Sequence, residues 1–333
     1  MRAKSNVKAL SFQSCFESLP RSFLVPAVAF AVSVFLPLFL VGYWVSLLSF
    51  CFLYISFAQS WNIISGYSGY WSFGHQTFFG IGAYAVAILV TRHAFNPYVA
   101  TGLAGVIALL AAVPLGMLLL RIRGAYFTIS SLVIAEILKV VAVDEEWLTG
   151  GGNGVILPPV YALHSFYYCM LISMVSVTLV AYVIKRKPIG YALFAIRDDE
   201  DAAESYGINP TKYKLLVFAV SAFFVGILGG CYAWFLTYID PYSSFDSNMQ
   251  LLVTVATIFG GLGTVGGPII GGFVYTLILE LLWVSFPYVY LVILGVSLVL
   301  IIRFLPNGVL GYLETSERFR GLIHKPLLRG QSE

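Results

Sequence analysis

Long apolar stretches alternate with short polar segments along the chain. Ten such stretches cover residues 22–42, 45–64, 77–91, 98–120, 125–143, 166–184, 215–236, 248–262, 267–285 and 288–304. Most of them approach the ~20 residues that a helix needs to cross ~30 Å of hydrocarbon. The pattern therefore predicts an all-α integral membrane protein with about ten transmembrane helices.

The composition agrees with this pattern. Hydrophobic residues make up 59% of the chain, charged residues make up only 11%, and the mean hydropathy is +0.88. These values lie outside the range of soluble globular proteins. The basic amino-terminal residues resemble the start of a signal peptide, but the apolar run after them is too long for one and lacks a small-residue cleavage site. We expect this run to remain as the first span.

Basic residues are distributed unevenly between the two sides that ten spans define. Of the nineteen lysines and arginines, all but Arg92 and Lys139 fall in segments on the amino-terminal side of the membrane. Because basic residues favour the cytoplasmic side, both termini are predicted to be cytoplasmic. This topology gives an amino-terminal tail over 1–21, a membrane domain over 22–304 with a cytoplasmic loop over 185–214, and a carboxy-terminal tail over 305–333.

The cytoplasmic loop contains an unusually polar stretch, RDDEDAAESYGIN, which we call the cassette (residues 197–209). Acidic residues crowd its start, where a helix dipole favours them, and Gly207 stands where a helix would end. At ~100° per residue, Ala202 and Ala203 would share one face of a helix over 198–206, opposite an acidic face on which Glu200 would be an exposed charge. The small-residue face suits close contact with another protein; a solvated loop helix is the alternative.

Two glycine-rich segments, SGYSGYWSFGHQ and FGGLGTVGGP, join predicted spans. Their glycines free the backbone from helical geometry, which membrane proteins tolerate at depth only beside protein or a water-filled cavity. Interrupted segments of this kind indicate a substrate route, and tight cytoplasmic turns with close helix packing are the alternative. Within the first segment, His75 is expected to pack rather than to carry protons. The candidate route residues are Gly66, Gly69, Ser72, Gly74, His75, Gln76, Gly260, Gly261, Gly263, Thr264 and Gly266.

The fifth span carries the densest polar set inside an apolar stretch. Thr128, Ser131 and Lys139 lie along one helical face, with Glu136 beside it. Because a charge at mid-bilayer costs ~2.5–3.5 kcal/mol on insertion scales, this face is predicted to point into the bundle. Glu136 and Lys139, spaced i and i+3, are predicted to form a structural pair; a transport role and an outward-reaching Lys139 are the alternatives. Glu280, in the ninth span, is either a pore group or a carboxylate satisfied by a neighbouring helix.

The chain lacks the motifs of several enzyme classes. It has no Gly-Lys dipeptide and hence no P-loop, and it has no HExxH motif, no Ser/His/Asp ordering and no metal-ligand spacing. No catalytic or metal-binding residue is therefore predicted. Cys51, Cys169 and Cys231 lie in apolar runs without CxxC spacing, and we expect them to be small apolar packing residues.

The cassette resembles a known motif. Asp201-Ala202-Ala203-x-x-x-Gly207 is similar to the EAA…G cassette of ABC importer permeases, with Asp in place of Glu. Stretches at 60–84, 120–141, 148–155 and 260–272 resemble, in the same order, the LivM-type permease subunits of branched-chain amino-acid importers. The Ile and Leu-Pro that usually follow the cassette motif are absent, which is typical of the branch that handles branched-chain amino acids, ribose and urea.

The resemblance implies a function for the chain as a whole. It would be a non-enzymatic permease subunit of an ATP-driven importer for Leu, Ile or Val in the bacterial inner membrane. Its partners would be a second permease, two cytoplasmic ATPase subunits that bind ATP and Mg, and an external binding protein; no nucleic acid and no cofactor of its own are expected. The residues that would couple to the ATPase are Arg197, Asp198, Asp199, Glu200, Asp201, Ala202, Ala203, Glu204 and Gly207. The alternatives are a permease for urea or ribose, and a stand-alone secondary transporter or channel.

Overall fold

The computed structural model describes residues 30–159, 163–285 and 308–315, together with isolated positions between 289 and 303. Residues 30–35 are helical and lead into a 3-10 turn at Leu36–Leu38. The main helices are α1 Gly42–Ser68, α2 Gln76–His93, α3 Pro97–Leu119, α4 Ala125–Asp144, α5 Leu163–Arg186, α6 Pro188–Asp198, α7 Glu200–Ser205, α8 Pro210–Leu236, α9 Ser247–Gly260, α10 Gly267–Ser285 and α11 Gly308–Thr315. Short helical turns lie at Glu146–Thr149, Gly151–Asn153 and Pro241–Ser244, and strands β1 Val155–Ile156 and β2 Tyr238–Ile239 pair antiparallel.

Five of these helices, α1, α3, α4, α5 and α8, are long and apolar enough to cross a membrane, and a shorter apolar helix covers Gly267–Leu282. The chain is therefore an all-α, multi-pass membrane protein. The predicted spans at 77–91 and 248–262 are present as the shorter helices α2 and α9. The predicted first span, 22–42, ends too late. The first helix ends at residue 35, a 3-10 turn follows it, and α1 begins at Gly42. Residues 22–29 of that span, and most of the span at 288–304, lie outside the described residues.

Helix α1 is central and helix α4 is peripheral. Within the most apolar 18-residue window of each helix, 83% of the α1 residues are buried but only 22% of those of α4. Small residues let α8 pack closely against its neighbours. A Cβ atom at Gly229 would overlap the backbone of Phe79 on α2, and one at Gly226 would overlap Ala108 on α3. Such contacts are typical of membrane helices, where association depends on close backbone approach.

Helix α2 begins inside the bundle rather than at its edge. The non-helical residues 69–75 lie between the end of α1 and the start of α2. Trp61, about 10 Å before the end of α1 at 1.5 Å per residue, donates its indole N–H to the Ser72 carbonyl at 2.6 Å. His75 lies 2.9 Å from Ser221, about 16 Å along α8. Residues 69–75 therefore extend back into the protein, and the hypothesis of a tight cytoplasmic turn is wrong for this segment.

Helix α9 also begins inside the bundle, but from the opposite direction. Its first residue, Ser247, donates its hydroxyl to a carboxylate oxygen of Glu136 at 2.8 Å. Glu136 lies eight residues before the end of α4, about 12 Å along that helix. The chain thus enters the bundle after β2. Both α2 and α9 therefore begin in the interior of the bundle, away from its two ends. Non-helical backbone of this kind must be satisfied by the surrounding protein.

Two of the cysteines meet where α5 and α8 pack together. The sulfur atoms of Cys169 on α5 and Cys231 on α8 are in contact, and their Cα atoms are 7.1 Å apart, farther apart than in a disulfide bond. Adjacent helices therefore bring together two cysteine side chains that are 62 positions apart in the sequence. Cys51 is free and buried on α1, as predicted.

Candidate functional site

The cassette folds as parts of two helices rather than as one. Asp199 has an extended backbone and accepts a hydrogen bond from the Ala202 N–H at 2.9 Å, so it caps the start of α7. Arg197 and Asp198 therefore end α6, and the predicted single helix over 198–206 is wrong. The capping preference of Asp explains the break, since a residue that caps one helix cannot continue another. Gly207 is left-handed, with φ of +85° and open space around it, as expected for a helix terminator.

The two alanines of the cassette face different environments. Ala202 is exposed, but Ala203 is only 3% exposed and is packed against the rest of the chain. The predicted docking face that includes both residues is therefore wrong for Ala203. The exposed surface of this region, which we call the α7 surface, consists of Asp198, Asp199, Asp201, Ala202, Glu204, Ser205 and Tyr206.

Glu200 is a mostly buried group at the centre of a polar cluster and not an exposed charge. Its side chain is 14% exposed, and one carboxylate oxygen lies 2.7 Å from the Lys214 ammonium group at the start of α8. The other oxygen accepts a hydrogen bond from the Tyr70 hydroxyl. Arg123, in the connection between α3 and α4, approaches Glu200 at 3.6 Å and bonds Asp201 at 2.6 Å. We call Glu200, Lys214, Tyr70 and Arg123 the Glu200 cluster.

The cluster provides an ion-pair partner and a hydrogen-bond partner for Lys214, whose charge would otherwise be costly to bury. The Lys214 side chain is 1% exposed; besides Glu200, it donates to the Tyr70 hydroxyl at 2.8 Å and to the Leu120 carbonyl at 3.4 Å. Burial, followed by the hydrogen bond to Glu200, raises the pKa of the Tyr70 hydroxyl, which therefore stays protonated as a donor. The carboxylate of Asp201 likewise raises the pKa of Arg123. The cluster joins α7 to the start of the 69–75 segment.

A second junction is formed by Arg197. Its guanidinium donates to the Gly66 carbonyl at 2.8 Å, in the last turn of α1. The terminal carbonyls of a helix lack intrahelical partners and favour a cation. Lys185 donates to the Gly263 carbonyl at 3.2 Å, and a Cβ atom at Gly263 would lie 2.9 Å from the Arg197 guanidinium. Arg197 therefore links the cassette to α1 beside the turn between α9 and α10.

The second glycine segment is a tight turn that packs on α1. Asn62 of α1 accepts from the Gly263 N–H and donates to the Thr264 carbonyl, both at 2.8 Å. The Thr264 hydroxyl donates to the Gly261 carbonyl at 2.8 Å and accepts from the Gly267 N–H at 2.9 Å. The geometry agrees with the alternative of a turn with close packing. Gly260 and Gly266 flank this turn, and it meets the first glycine segment at Gly66, whereas Gly69 packs against Arg197.

The remaining route candidates lie deeper in the bundle. His75 is buried, and its two ring nitrogens lie 2.8 Å from the Ser72 hydroxyl and 2.9 Å from the Ser221 hydroxyl. It therefore has the satisfied packing environment that the sequence predicts. A Cβ atom at Gly74 would lie 2.5 Å from the Ser131 carbonyl, so only glycine fits beside α4 there. Gln76 donates to the Ser247 hydroxyl at 3.3 Å and thereby joins the starts of α2 and α9.

The polar residues of α4 confirm the predicted pairing. Lys139 forms an ion pair with Glu136. Ser131 is buried, and Thr128, Glu136 and Lys139 are half-buried, so this face points into the bundle. Glu280 on α10 accepts a hydrogen bond from the Tyr43 hydroxyl of α1 at 2.9 Å, which agrees with satisfaction by a neighbouring helix.

A structural role for the α4 pair predicts a specific pattern of stability. Glu136→Leu is expected to lower the amount of folded chain in the membrane, because Lys139 loses its partner. The double variant with Lys139→Met should recover most of the loss, since removing both members of a pair is often near neutral. Quantitative blotting of membranes measures both. Equal losses in the single and double variants would contradict a structural pair, and normal amounts with failed transport would favour a transport role.

Comparison with known proteins identifies the family. A family model described as "Branched-chain amino acid transport system / permease component" matches residues 43–302. The chain belongs to this permease family. The matched region contains both glycine segments, the whole cassette and the α4 pair, so the features described above lie within the family domain. No solved structure matches the chain.

Three transport permeases resemble the chain to different extents. The high-affinity branched-chain amino-acid transport permease LivM of Escherichia coli is 28% identical over 289 residues, covering 78% of this chain and 68% of that protein. LivH of Escherichia coli is 26% identical over 143 residues, covering 42% and 46%. The ribose import permease RbsC of Haemophilus influenzae is 29% identical over only 137 residues, covering 39% and 42%. The similarity thus extends furthest for the LivM protein.

Proposed function

We propose that the chain is the transmembrane permease subunit of an ATP-driven importer for branched-chain amino acids. The observation that carries this proposal is the match of the permease family over residues 43–302. The more extensive similarity to LivM than to RbsC favours an amino acid over ribose as the substrate. The chain itself supplies no ATPase chemistry in this proposal, and ATP and Mg bind to partner subunits.

A second permease is the first partner in the proposed complex. Both LivM and LivH of Escherichia coli resemble this chain. We propose that a LivH-like chain pairs with this one in the bacterial inner membrane. Two cytoplasmic ATPase subunits and an external binding protein complete the proposed complex. The peripheral position of α4 leaves a large apolar face for lipid or for the second permease.

The proposed coupling runs from the α7 surface into the bundle along two connections. The exposed acidic groups and Ala202 would contact the ATPase. Behind them, Glu200 holds Tyr70, and Arg197 holds the last turn of α1. Tyr70 is the second residue of the segment 69–75, which ends immediately before α2. Movement of the cassette would therefore act directly on the point at which the bundle is interrupted.

The proposed orientation places the cassette in the cytoplasm. Asp201 and Asn153 are both exposed, at opposite ends of the bundle, so a cysteine at either position should react with a membrane-impermeant reagent without disturbing the core. A cysteine at Asp201 should be labelled only in inverted vesicles, and one at Asn153 only in intact cells. Labelling of both positions from the same side would contradict this orientation.

Reconstitution tests the function itself. The chain is co-expressed with a LivH-like permease, the ATPase subunits and the binding protein, and the purified complex is placed in proteoliposomes. Uptake of labelled Leu, Ile or Val that requires both ATP and the binding protein supports the proposal. Uptake of ribose or urea in preference to these amino acids would show that the proposed substrate is wrong. Transport by the chain alone, without ATP, would overturn the importer assignment in favour of a secondary transporter or channel.

A further inference from the structure

Four buried polar atoms on α2 and α9 lack a hydrogen-bond partner among the described residues. They are the side-chain oxygens of Gln76, Thr77 and Tyr84 on α2 and of Gln250 on α9. Each of these residues is at most 5% exposed. An unpaired buried polar group is costly, and the great majority of such groups in native proteins are paired. Four of them in one region indicate a function other than packing.

Hydrogen bonds connect two of these residues, Gln76 and Gln250, across the starts of α2 and α9. The amide nitrogen of Gln76 donates to Ser247, and that of Gln250 donates to the Ser72 carbonyl at 3.4 Å. Ser247 and Gln250 are one turn apart on α9, so the two glutamines bridge α9 and the 72–76 region from both sides. With both amide nitrogens engaged, the amide oxygens are the groups left without partners. We call Gln76, Thr77, Tyr84 and Gln250 the polar layer.

An aromatic side chain packs beside the α2 residues of the polar layer. On α2, positions 76, 77, 80 and 84 fall within a ~100° arc of the helix. A Cβ atom at Gly80, in the middle of this arc, would lie 2.5 Å from the ring of Phe245. Phe245 is 4% exposed, and its ring stacks on Tyr84 with centroids 6.2 Å apart. The absence of a side chain at Gly80 thus provides the space that Phe245 fills.

The chemistry of the layer matches the polar end of an amino acid. The two amide oxygens can accept hydrogen bonds from an ammonium group, and the two hydroxyls can donate to a carboxylate. The nearby carboxylate of Glu136 is already engaged by Lys139 and Ser247, so the unpaired groups carry no net charge. Neutral groups of both kinds can replace the water around a zwitterion without holding it as strongly as a fixed ion pair would.

We propose that the polar layer is where this chain contacts the ammonium and carboxylate groups of the transported amino acid, and that Phe245 closes the layer in the present conformation. The inference rests on the proposed function and adds a contact site to it. Opening would require Phe245 to leave its place over Gly80. Both elements that carry the layer, α2 and α9, begin at depth, and the segment before α2 is bonded to the Glu200 cluster. The layer therefore lies at the far end of the proposed coupling path.

The test uses the complete reconstituted importer at saturating amino-acid-loaded binding protein. Gln76→Leu and Gln250→Leu are each expected to lower uptake per ATP hydrolysed by about tenfold, the effect of losing a hydrogen bond to a charged group. Tyr84→Phe removes only one oxygen and serves as a second variant that preserves the packing. Gln59→Leu is the matched control: Gln59 is also fully buried and unpaired. It stands ~200° around α1 from Trp61, which faces the 69–75 segment, so its uptake should stay within about twofold of the wild type.

Phe245→Ala provides an independent measurement. If Phe245 closes the layer, this variant should increase the leak of labelled amino acid from preloaded vesicles without ATP. Normal uptake by both glutamine variants and by Tyr84→Phe would overturn the inference and leave the layer as a place for trapped water. If Gln59→Leu loses as much uptake as the two glutamine variants do, the inference is overturned as well. Failure of the wild-type complex to import any branched-chain amino acid would instead contradict the proposed function, so the two failures are distinguishable.

Discussion

Glu200→Leu is expected to destabilise the protein by roughly 3–5 kcal/mol, the range found when one member of a buried ion pair is removed. The variant leaves Lys214 buried at 1% exposure without its carboxylate partner and removes the acceptor for the Tyr70 hydroxyl. Folded chain in the membrane should fall sharply, and thermal unfolding of the purified complex should begin at a lower temperature. Both quantities are measured with the complete complex, because the membrane helices are not expected to behave independently of their partners.

Two further variants separate the buried pair from surface charge. Asp201→Asn is the matched control, because the Asp201 side chain is 78% exposed and its pair with Arg123 should contribute only ~0–1 kcal/mol. The double variant Glu200→Leu, Lys214→Met should recover much of the stability. A double variant as unstable as Glu200→Leu, or equal losses for Glu200→Leu and Asp201→Asn, would show that the Glu200 cluster does not have the role inferred from its burial.

The double variant also tests coupling. It restores an apolar environment in place of the ion pair, but it does not restore the hydrogen bond between Glu200 and Tyr70. If this bond transmits movement, the double variant should hydrolyse ATP in response to the loaded binding protein and transport less amino acid per ATP. Normal transport would indicate that Arg197 and the last turn of α1 are sufficient for coupling.

The long apolar helices could be predicted from the sequence because hydropathy reports the cost of exposing backbone and polar groups to lipid. α3, α4, α5 and α8 all coincide closely with predicted spans. The same signal could not reveal that α2 and α9 start at depth. Apolar composition is similar for a helix that begins at the membrane surface and for one that begins inside, and the difference lies in contacts such as that between Trp61 and Ser72.

The candidate site was predictable only where the partners are close in sequence. The pair of Glu136 and Lys139 follows from helical spacing. The contact of Glu200 with Tyr70, 130 positions away, has no local signal. Lys214 and Arg123 were identified only as basic residues on the side that is predicted to be cytoplasmic, and Asn62 and Gln250 had no assigned role. Amphipathic helix α6 was missed as well, although Pro188 at its first position is a typical start signal.

The helical projection of the cassette failed for a specific physical reason. It assumed that an acidic face would be solvated and that a small-residue face would contact a partner. In the protein, the buried Lys214 requires a carboxylate, so Glu200 turns inward. The rotation that places Glu200 against α8 also places Ala203, three residues later, against the chain. Ala202 and the remaining acidic residues are consequently the groups available to an ATPase.

Ala202→Trp and Ala203→Trp are therefore expected to fail in different ways. Ala202 is exposed on the α7 surface, so a tryptophan there should leave the amount of folded chain unchanged and weaken docking of the ATPase about tenfold. Overpacking typically costs ~1–3 kcal/mol, and a change of 1.4 kcal/mol is tenfold in affinity. Ala203 is buried, so a tryptophan there should instead lower the amount of folded chain. Pull-down of the ATPase at matched membrane levels, together with uptake, measures the difference.

Asn153→Trp is the control for added bulk, because Asn153 is exposed at the opposite end of the bundle and should not affect ATPase pull-down. The α7 surface is the docking site only if Ala202→Trp alone combines normal folding with lost pull-down or with ATP hydrolysis that drives no uptake. Normal pull-down and normal uptake for Ala202→Trp would place the ATPase contact elsewhere on the cytoplasmic side. In that case the Glu200 cluster would remain a stabilising element, and the path from cassette to polar layer would lose its starting point.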